Sequence, residues 1–165
     1  MAEQAKNNLI CGAKLRAKRE LCGLSREELA KECGCDQLDV RALEEPWHNV
    51  GVPDDVAVAL GARLDELQER MGDMLDYAVG VYEEFAEIAQ TNPEFISMPY
   101  YRDQAEYDEY GRKGDGMSHS FVNAVTRACL AAFDDFGMPC RLYYPAEDEE
   151  LRAMVALSRG WGDSE

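Results

Sequence analysis

Apolar residues recur at helical spacing between residues 15 and 44, which predicts three short amphipathic helices joined by two tight turns. In the first helix Leu15, Arg19 and Cys22 follow at three- and four-residue intervals and share one face. The inward residues of the second and third helices are Leu29, Ala30, Cys33, Val40 and Leu43. We therefore expect the three helices to pack together through these faces.

The turns between these helices carry start and stop signals. Gly23 ends the first helix, and Ser25 with Glu28 three residues later forms a capping-box pattern for the second. Gly34 provides the second turn, and Asp36 caps the third helix. A small residue in the second helix and a glycine turn let two helices cross closely, which is typical of a helix-turn-helix.

A longer pattern runs through the same segment. It consists of Leu15, Arg16, Gly23, Leu24, Ser25, Glu28, Leu29, Ala30, Cys33, Gly34, Cys35, Val40, Leu43 and Glu44. In this order and spacing the segment resembles the XRE (Cro/repressor-type) helix-turn-helix family over about 30 residues, or about 55 with the segment up to Leu67. The resemblance implies a transcriptional regulator whose residues 1–70 bind double-stranded DNA. We expect a homodimer that represses by occluding an inverted-repeat operator, without a cofactor.

In such a domain the start of the third helix reads base edges in the major groove. The positions that carry over are Gln37, Leu38 and Asp39, with Arg41 one turn later. The Gln37 amide suits a bidentate contact to adenine, Leu38 suits a thymine methyl, and Arg41 suits a phosphate or a guanine. The resemblance also places Arg26 against a phosphate at the start of the second helix. Further backbone contacts are expected from Lys14, Arg16 and Lys18.

The chain departs from the family pattern at three places. Asp39 puts an acid on the reading helix, Ala42 replaces a polar reader, and Glu45-Pro46 stands where a basic residue and glycine are common. These departures favour an alternative interpretation, in which the fold is kept as a protein–protein interaction module without DNA binding.

A second apolar stripe predicts helix from Val56 to Gln90, entered through Pro53 at its first turn. Its inward residues are Val56, Leu60, Leu64, Leu67, Met71, Met74, Leu75, Val79, Tyr82, Phe85 and Ile88. The possible breaks at Gly61, Gly72 and Gly80 leave open one long helix or two stacked helices. We assign residues 71–91 to a connecting helix whose stripe pairs with a second copy, the alternative being that it packs on its own domain.

Residues 92–165 predict a small α/β dimerisation domain. FISMPYY and CRLYYP read as strands, YRDQAEYDEYGRKGDG as a polar, tyrosine-rich loop, and AEDEELRAMVALSR as a terminal helix. Between the strands Ser118 caps a helix with Phe121, Val125, Ala128, Ala132 and Phe136 inward. The expected fold class is therefore mainly α: a helix-turn-helix bundle, a long connecting helix and a small α/β unit.

Three pieces of this region form a further pattern. They are Pro99-Tyr100-Tyr101-Arg102, Asn123-Ala124-Val125-Thr126-Arg127-Ala128 and Arg141-Leu142-Tyr143. Together they resemble the C-terminal region of anti-CRISPR-associated repressors, which implies a dimerising domain. The tyrosines of this region favour dimer contacts, with core packing as the second interpretation and a small-molecule effector pocket as the third. Only one of Tyr143 and Tyr144 can face the core.

The composition, with 46% hydrophobic and 30% charged residues, is ordinary for a globular protein. The sequence contains no apolar run of the ~20 residues that a membrane span needs. The N-terminus lacks the features of a secretory signal, so we expect a cytoplasmic protein with reduced cysteines. Cys33 and Cys35 then read as small core residues rather than metal ligands. Neither His48 nor His119 has a metal-ligand or catalytic spacing, so we expect no enzymatic activity.

The net charge of −16 opposes binding to a polyanion. The charge is unevenly distributed along the chain. Residues 1–35 hold seven Lys and Arg and five acids, whereas residues 73–165 hold seven Lys and Arg and nineteen acids. At physiological salt the Debye length is ~8 Å, so distant acids are largely screened. A basic face on the first helices therefore remains compatible with the sequence.

Overall fold

A computed structural model describes residues 12–45, 51–84, 86–91, 96–112 and 115–153. The fold is mainly helical with a small two-stranded parallel sheet, which confirms the expected fold class. The helices are α1 (Gly12–Leu21), α2 (Arg26–Cys33), α3 (Gln37–Glu44), α4 (Asp54–Glu84), α5 (Ala86–Thr91), α6 (Gln104–Tyr110) and α7 (His119–Asp135). The strands are β1 (Ser97–Pro99) and β2 (Arg141–Tyr143). The chain divides into an N-terminal unit, residues 1–73, and a C-terminal unit, residues 74–165.

The three predicted short helices form in the N-terminal unit, and their predicted caps are confirmed. The Ser25 hydroxyl accepts from the Glu28 N–H while the Glu28 carboxylate accepts from the Ser25 N–H, which completes a capping box. Asp36 caps α3 in the same way, with Asp39 as the reciprocal partner. The buried apolar core consists of Leu15, Cys22, Leu24, Leu29, Ala30, Val40, Leu43, Ala57, Leu60, Leu64, Leu67 and Met71.

The apolar stripe after Pro53 forms one continuous helix, α4, over 31 residues rather than two stacked helices. The stripe is buried from Leu60 to Met71 and again at Tyr82, whereas Ile88 on α5 is exposed. The Tyr82 hydroxyl donates to the Pro139 carbonyl at 2.6 Å, and its ring lies 4.6 Å from that of Phe133. The end of α4 is thereby packed into the core of the C-terminal unit.

The two predicted strands pair in parallel, with Ser97 opposite Arg141 and Pro99 opposite Tyr143. Two expectations for this unit are wrong. The tyrosine-rich segment between β1 and α7 contains α6, because Asp103 caps the Glu106 N–H and Tyr107 packs inward.

The second correction concerns α7, whose Ser118 cap is confirmed. Phe136 is 67% exposed, because the helix ends at Asp135 and Phe136 lies at its C-cap, beyond the buried stripe. Cys129 and Phe133 are the buried residues toward the end of that helix.

Some expectations fall outside the described residues. These are Trp47 and His48 in the loop after α3, Phe85 of the apolar stripe, Phe95 of the first strand segment, and the terminal helix beyond residue 153. Residues 149–153, at the start of that last segment, are helical. None of the described helices combines the length and apolar character that crossing a membrane requires.

Candidate nucleic-acid interface

Helices α2 and α3 are joined by a tight turn that begins at Gly34. Gly34 ends α2 at φ 66° and ψ 31°, in the left-handed region, and its N–H points at the Ala30 and Lys31 carbonyls. The next residue, Cys35, donates to the Ala30 carbonyl at 3.0 Å. Ala30 itself is 3% exposed. A small side chain and a left-handed glycine therefore allow α3 to start beside α2.

The outer face of α3 presents the first two predicted base-reading residues. Gln37 is exposed, and Leu38 is 64% exposed, among the most exposed large apolar side chains of the described chain. Val40 and Leu43, on the opposite face, are buried in the core. The sequence therefore fixes which face of α3 packs inward and leaves the start of the helix accessible.

Asp39 has a structural role that the sequence pattern did not predict. Its carboxylate accepts a hydrogen bond at 3.1 Å from the backbone N–H of Asp36, the cap of the same helix. The two acids therefore close a reciprocal cap at the start of α3. The charge at position 39 is used by the helix terminus, where the dipole favours an anion.

On the buried side of α3, Glu44 accepts hydrogen bonds from two arginines. Arg19 Nε and Nη2 lie 2.6 and 3.2 Å from its two oxygens, and Arg26 Nε lies at 2.7 Å. Arg19 Nη1 also donates to the Leu24 carbonyl at 2.7 Å. The Glu44 side chain is 0% exposed and that of Arg19 is 9% exposed. This buried cluster joins α1, α2 and α3.

The next acid, Glu45, lies at the surface and bridges two of the predicted DNA-contacting arginines. Arg26 Nη2 lies 3.0 Å from one of its oxygens, and Arg41 Nε lies 3.3 Å from the other. Partial burial opposes ionisation of Glu45, but the hydrogen bonds from Arg41 and Arg26 outweigh it and lower its pKa. The hydrogen bond to Glu44 raises the pKa of Arg26. Both shifts favour the charged forms of Glu45 and Arg26, which therefore stay paired at neutral pH.

The remaining predicted backbone contacts lie on α1. Arg16 Nε lies 2.7 Å from Glu20, which raises the pKa of Arg16, and Lys18 pairs with Asp65 on α4. Lys14 is exposed and makes no ion pair within the described ranges. Of the five predicted phosphate-binding cations, four thus already hold a carboxylate partner.

The two cysteines beside the turn are half-buried rather than fully buried. Burial raises the pKa of the Cys33 thiol to about 11, and burial with the nearby acids Asp39 and Asp36 raises that of Cys35. Both thiols are therefore protonated at neutral pH, which disfavours metal binding. No cluster of three or more metal-ligating side chains occurs within the described part of the chain.

In the C-terminal unit the three pieces of the second pattern come together. The Asn123 side chain accepts from the Tyr101 N–H at 2.9 Å and donates to its carbonyl at 2.6 Å. The Tyr100 N–H donates to the Tyr143 carbonyl, and its hydroxyl lies 2.8 Å from Arg127. These contacts position β1 against both α7 and β2.

The tyrosines of this unit divide between core and surface. Tyr101, Tyr107 and Tyr143 are buried, and the first two rings meet edge to face at 4.9 Å. Tyr144 is 42% exposed, so of the adjacent pair only Tyr143 faces the core, as strand alternation predicts. Core packing therefore accounts for these three tyrosines.

Sequence reasoning missed Glu44 and Glu45 as organisers of the arginines. The signal was present, because an arginine on the apolar face of α1 requires a buried carboxylate partner. That signal does not identify which acid is the partner, since Glu44 lies 25 residues away from Arg19.

No known protein family and no curated protein matches the chain.

Proposed function

We propose that the N-terminal unit binds double-stranded DNA through α3, and that the protein acts as a cytoplasmic, homodimeric repressor on an inverted-repeat operator. The observation that carries this proposal is the exposure of Leu38, 64%, beside exposed Gln37 on the first turn of α3. The second helix of a helix-turn-helix reads bases with these N-terminal positions. Nothing in the packing of the described domain requires an exposed leucine there.

The chemistry of that turn favours A·T pairs. A glutamine amide matches the donor and acceptor of adenine, and a leucine packs against the thymine methyl. Asp39 Oδ2 accepts from the Asp36 N–H, which holds that side chain against the start of the helix. We therefore propose half-sites in which Gln37 and Leu38 contact adjacent A·T pairs.

The test is selection from a random duplex pool at low salt, followed by affinity measurements on the enriched sequence. We expect a palindrome, and we expect Gln37→Ala and Leu38→Ala each to weaken binding by about tenfold. Leu21→Ala is the matched control, because Leu21 is also an exposed leucine, at 56%, but lies on α1. Equal effects of the two leucine substitutions, or no enriched sequence, would contradict base reading by α3.

A second candidate is a protein–protein interaction module with this fold. The observation that favours it is the pairing of Arg16, Lys18, Arg26 and Arg41 with carboxylates, together with the net charge of −16. Such a module would retain no duplex at low salt. It would instead bind a basic protein partner, with Gln37→Ala leaving that binding unchanged.

A further inference from the structure

We propose that Arg26 and Arg41 form a binding site for one DNA backbone phosphate, and that Glu45 occupies this site in the free protein. The inference rests on the proposed function and adds that Glu45 sets the affinity of the protein for DNA. Each oxygen of the Glu45 carboxylate takes one arginine, Arg26 at 3.0 Å and Arg41 at 3.3 Å. The carboxylate thereby stands in for the two non-bridging oxygens of a phosphodiester, which carries the same single charge.

The placement of the two arginines suits a phosphate beside the bases that α3 would read. Arg41 lies one turn after Leu38 on α3, and its side chain is 56% exposed. Arg26 begins α2, and its Nε is held by Glu44 at 2.7 Å while its Nη2 reaches Glu45. Glu44 therefore orients the Arg26 guanidinium, and Nη2 faces the exchangeable anion.

The two adjacent glutamates differ in how easily they leave their arginines. The Glu44 side chain is 0% exposed, so releasing its partners would leave charges buried without compensation. Glu45 is 23% exposed, and Arg41 on its other side is mostly exposed, so that ion pair is weak. A phosphate can displace Glu45, which then returns to water, while Glu44 stays in place.

This exchange makes Glu45 a competitor of DNA. Each phosphate neutralised by the protein releases condensed counterions, which drives binding at low salt. In the wild-type chain part of that gain is lost, because Glu45 must give up its arginines and recruit a cation from solution. Removing its charge therefore leaves the arginines open to phosphate.

The test uses the full chain and the anisotropy of a labelled mixed-sequence duplex, titrated over a range of salt concentrations. Glu45→Gln is expected to bind about tenfold more tightly than wild type, with a slope of log K against log salt steeper by about one. Glu66→Gln is the matched control, because Glu66 also pairs with an arginine, Arg63 at 2.9 Å, on α4. It changes the net charge equally and is expected to leave affinity within about twofold of wild type.

The double variant Arg41→Gln/Glu45→Gln is expected to lose the gain, and thermal unfolding verifies that each variant is folded. Wild type that binds DNA while Glu45→Gln binds no better would overturn the inference and leave the proposed function standing. An equal gain for Glu66→Gln would assign the effect to net charge and would also overturn it. If neither wild type nor Glu45→Gln binds any duplex, the proposed function fails and the phosphate site fails with it.

Discussion

Glu44 lies fully buried between the guanidinium groups of Arg19 and Arg26, at 2.6 and 2.7 Å. Removing one partner of a buried ion pair leaves the other charged and desolvated, which typically costs about 3–5 kcal/mol. We expect Glu44→Gln to lower the free energy of unfolding by about 3 kcal/mol, measured by urea denaturation. Replacing Glu44 together with its more buried partner, as in Arg19→Met/Glu44→Leu, should recover part of that loss, because Arg26 still has Glu45 as a partner.

Glu20→Gln provides the matched comparison for this prediction. Glu20 also pairs with an arginine, but both side chains of the Arg16–Glu20 pair are more than half exposed. Solvent screens so exposed a pair, which therefore contributes little to stability, and the unfolding midpoint should hardly change. Similar losses for Glu20→Gln and Glu44→Gln would show that burial does not set the strength of the Arg19–Glu44 pair.

At this scale the predictable residues are those whose partners are local. Ser25 and Glu28 are three residues apart, so the capping box follows from the chain itself. Arg19 was correctly placed on the inward face of α1, but its carboxylate partner depends on how α3 packs across α1. The helical period predicts Phe136 on the inward face, but α7 ends one residue earlier, at Asp135.

At the scale of the elements, a glycine-to-alanine substitution should have opposite effects on stability at two places. These are the turn between α2 and α3 and the middle of α4. Gly34 has φ +66° with open space around a new Cβ, so Gly34→Ala incurs only backbone strain, about 1–2 kcal/mol. Gly72 lies inside α4, also with open space, so Gly72→Ala should stabilise by about 0.5–1 kcal/mol. Thermal unfolding should show a lower midpoint for the first variant and a higher one for the second.

A rise in both midpoints would mean that the α2–α3 turn does not hold Gly34 in the left-handed region. A fall in both would mean that α4 is not a continuous helix at Gly72. The pair of alanine substitutions therefore tests the turn and the long helix separately, with the same change in side-chain volume.

The elements that sequence reasoning recovered have apolar stripes, and the one that it missed does not. The buried residues of α6 are Glu106 and Tyr107. Both side chains carry polar groups, so the sequence of this helix resembles that of a surface loop. The Glu106 carboxylate is satisfied by the backbone N–H groups of Arg102 and Ala146, at 2.6 and 3.1 Å. Arg102 immediately precedes the cap of α6, but Ala146 lies 40 residues away, and no local periodicity reveals that second partner.

Over the whole molecule, the uneven charge predicts opposite salt responses for the two proposed assemblies. Residues 73–165 hold seven basic residues against nineteen acids, so two copies repel each other at low salt. We expect the homodimer to tighten as salt rises from about 50 mM to about 200 mM, while DNA binding weakens over the same range. Sedimentation velocity measures the first response, and duplex anisotropy measures the second.

A homodimer that weakens with added salt would instead depend on ion pairs between the copies. DNA binding that is insensitive to salt would exclude phosphate contacts by Arg26 and Arg41. Charge and composition supported these whole-molecule expectations directly from sequence, because net charge is a sum over residues and needs no knowledge of packing.

The parallel pairing of β1 with β2 also has a consequence for the order of folding. Ser97 pairs with Arg141, which lies 44 positions further along the chain. Closing so long a loop costs entropy before any strand contact forms, whereas α1, α2 and α3 meet through short turns. During synthesis the N-terminal unit can therefore assemble early, while β1 stays unpaired until β2 has left the ribosome.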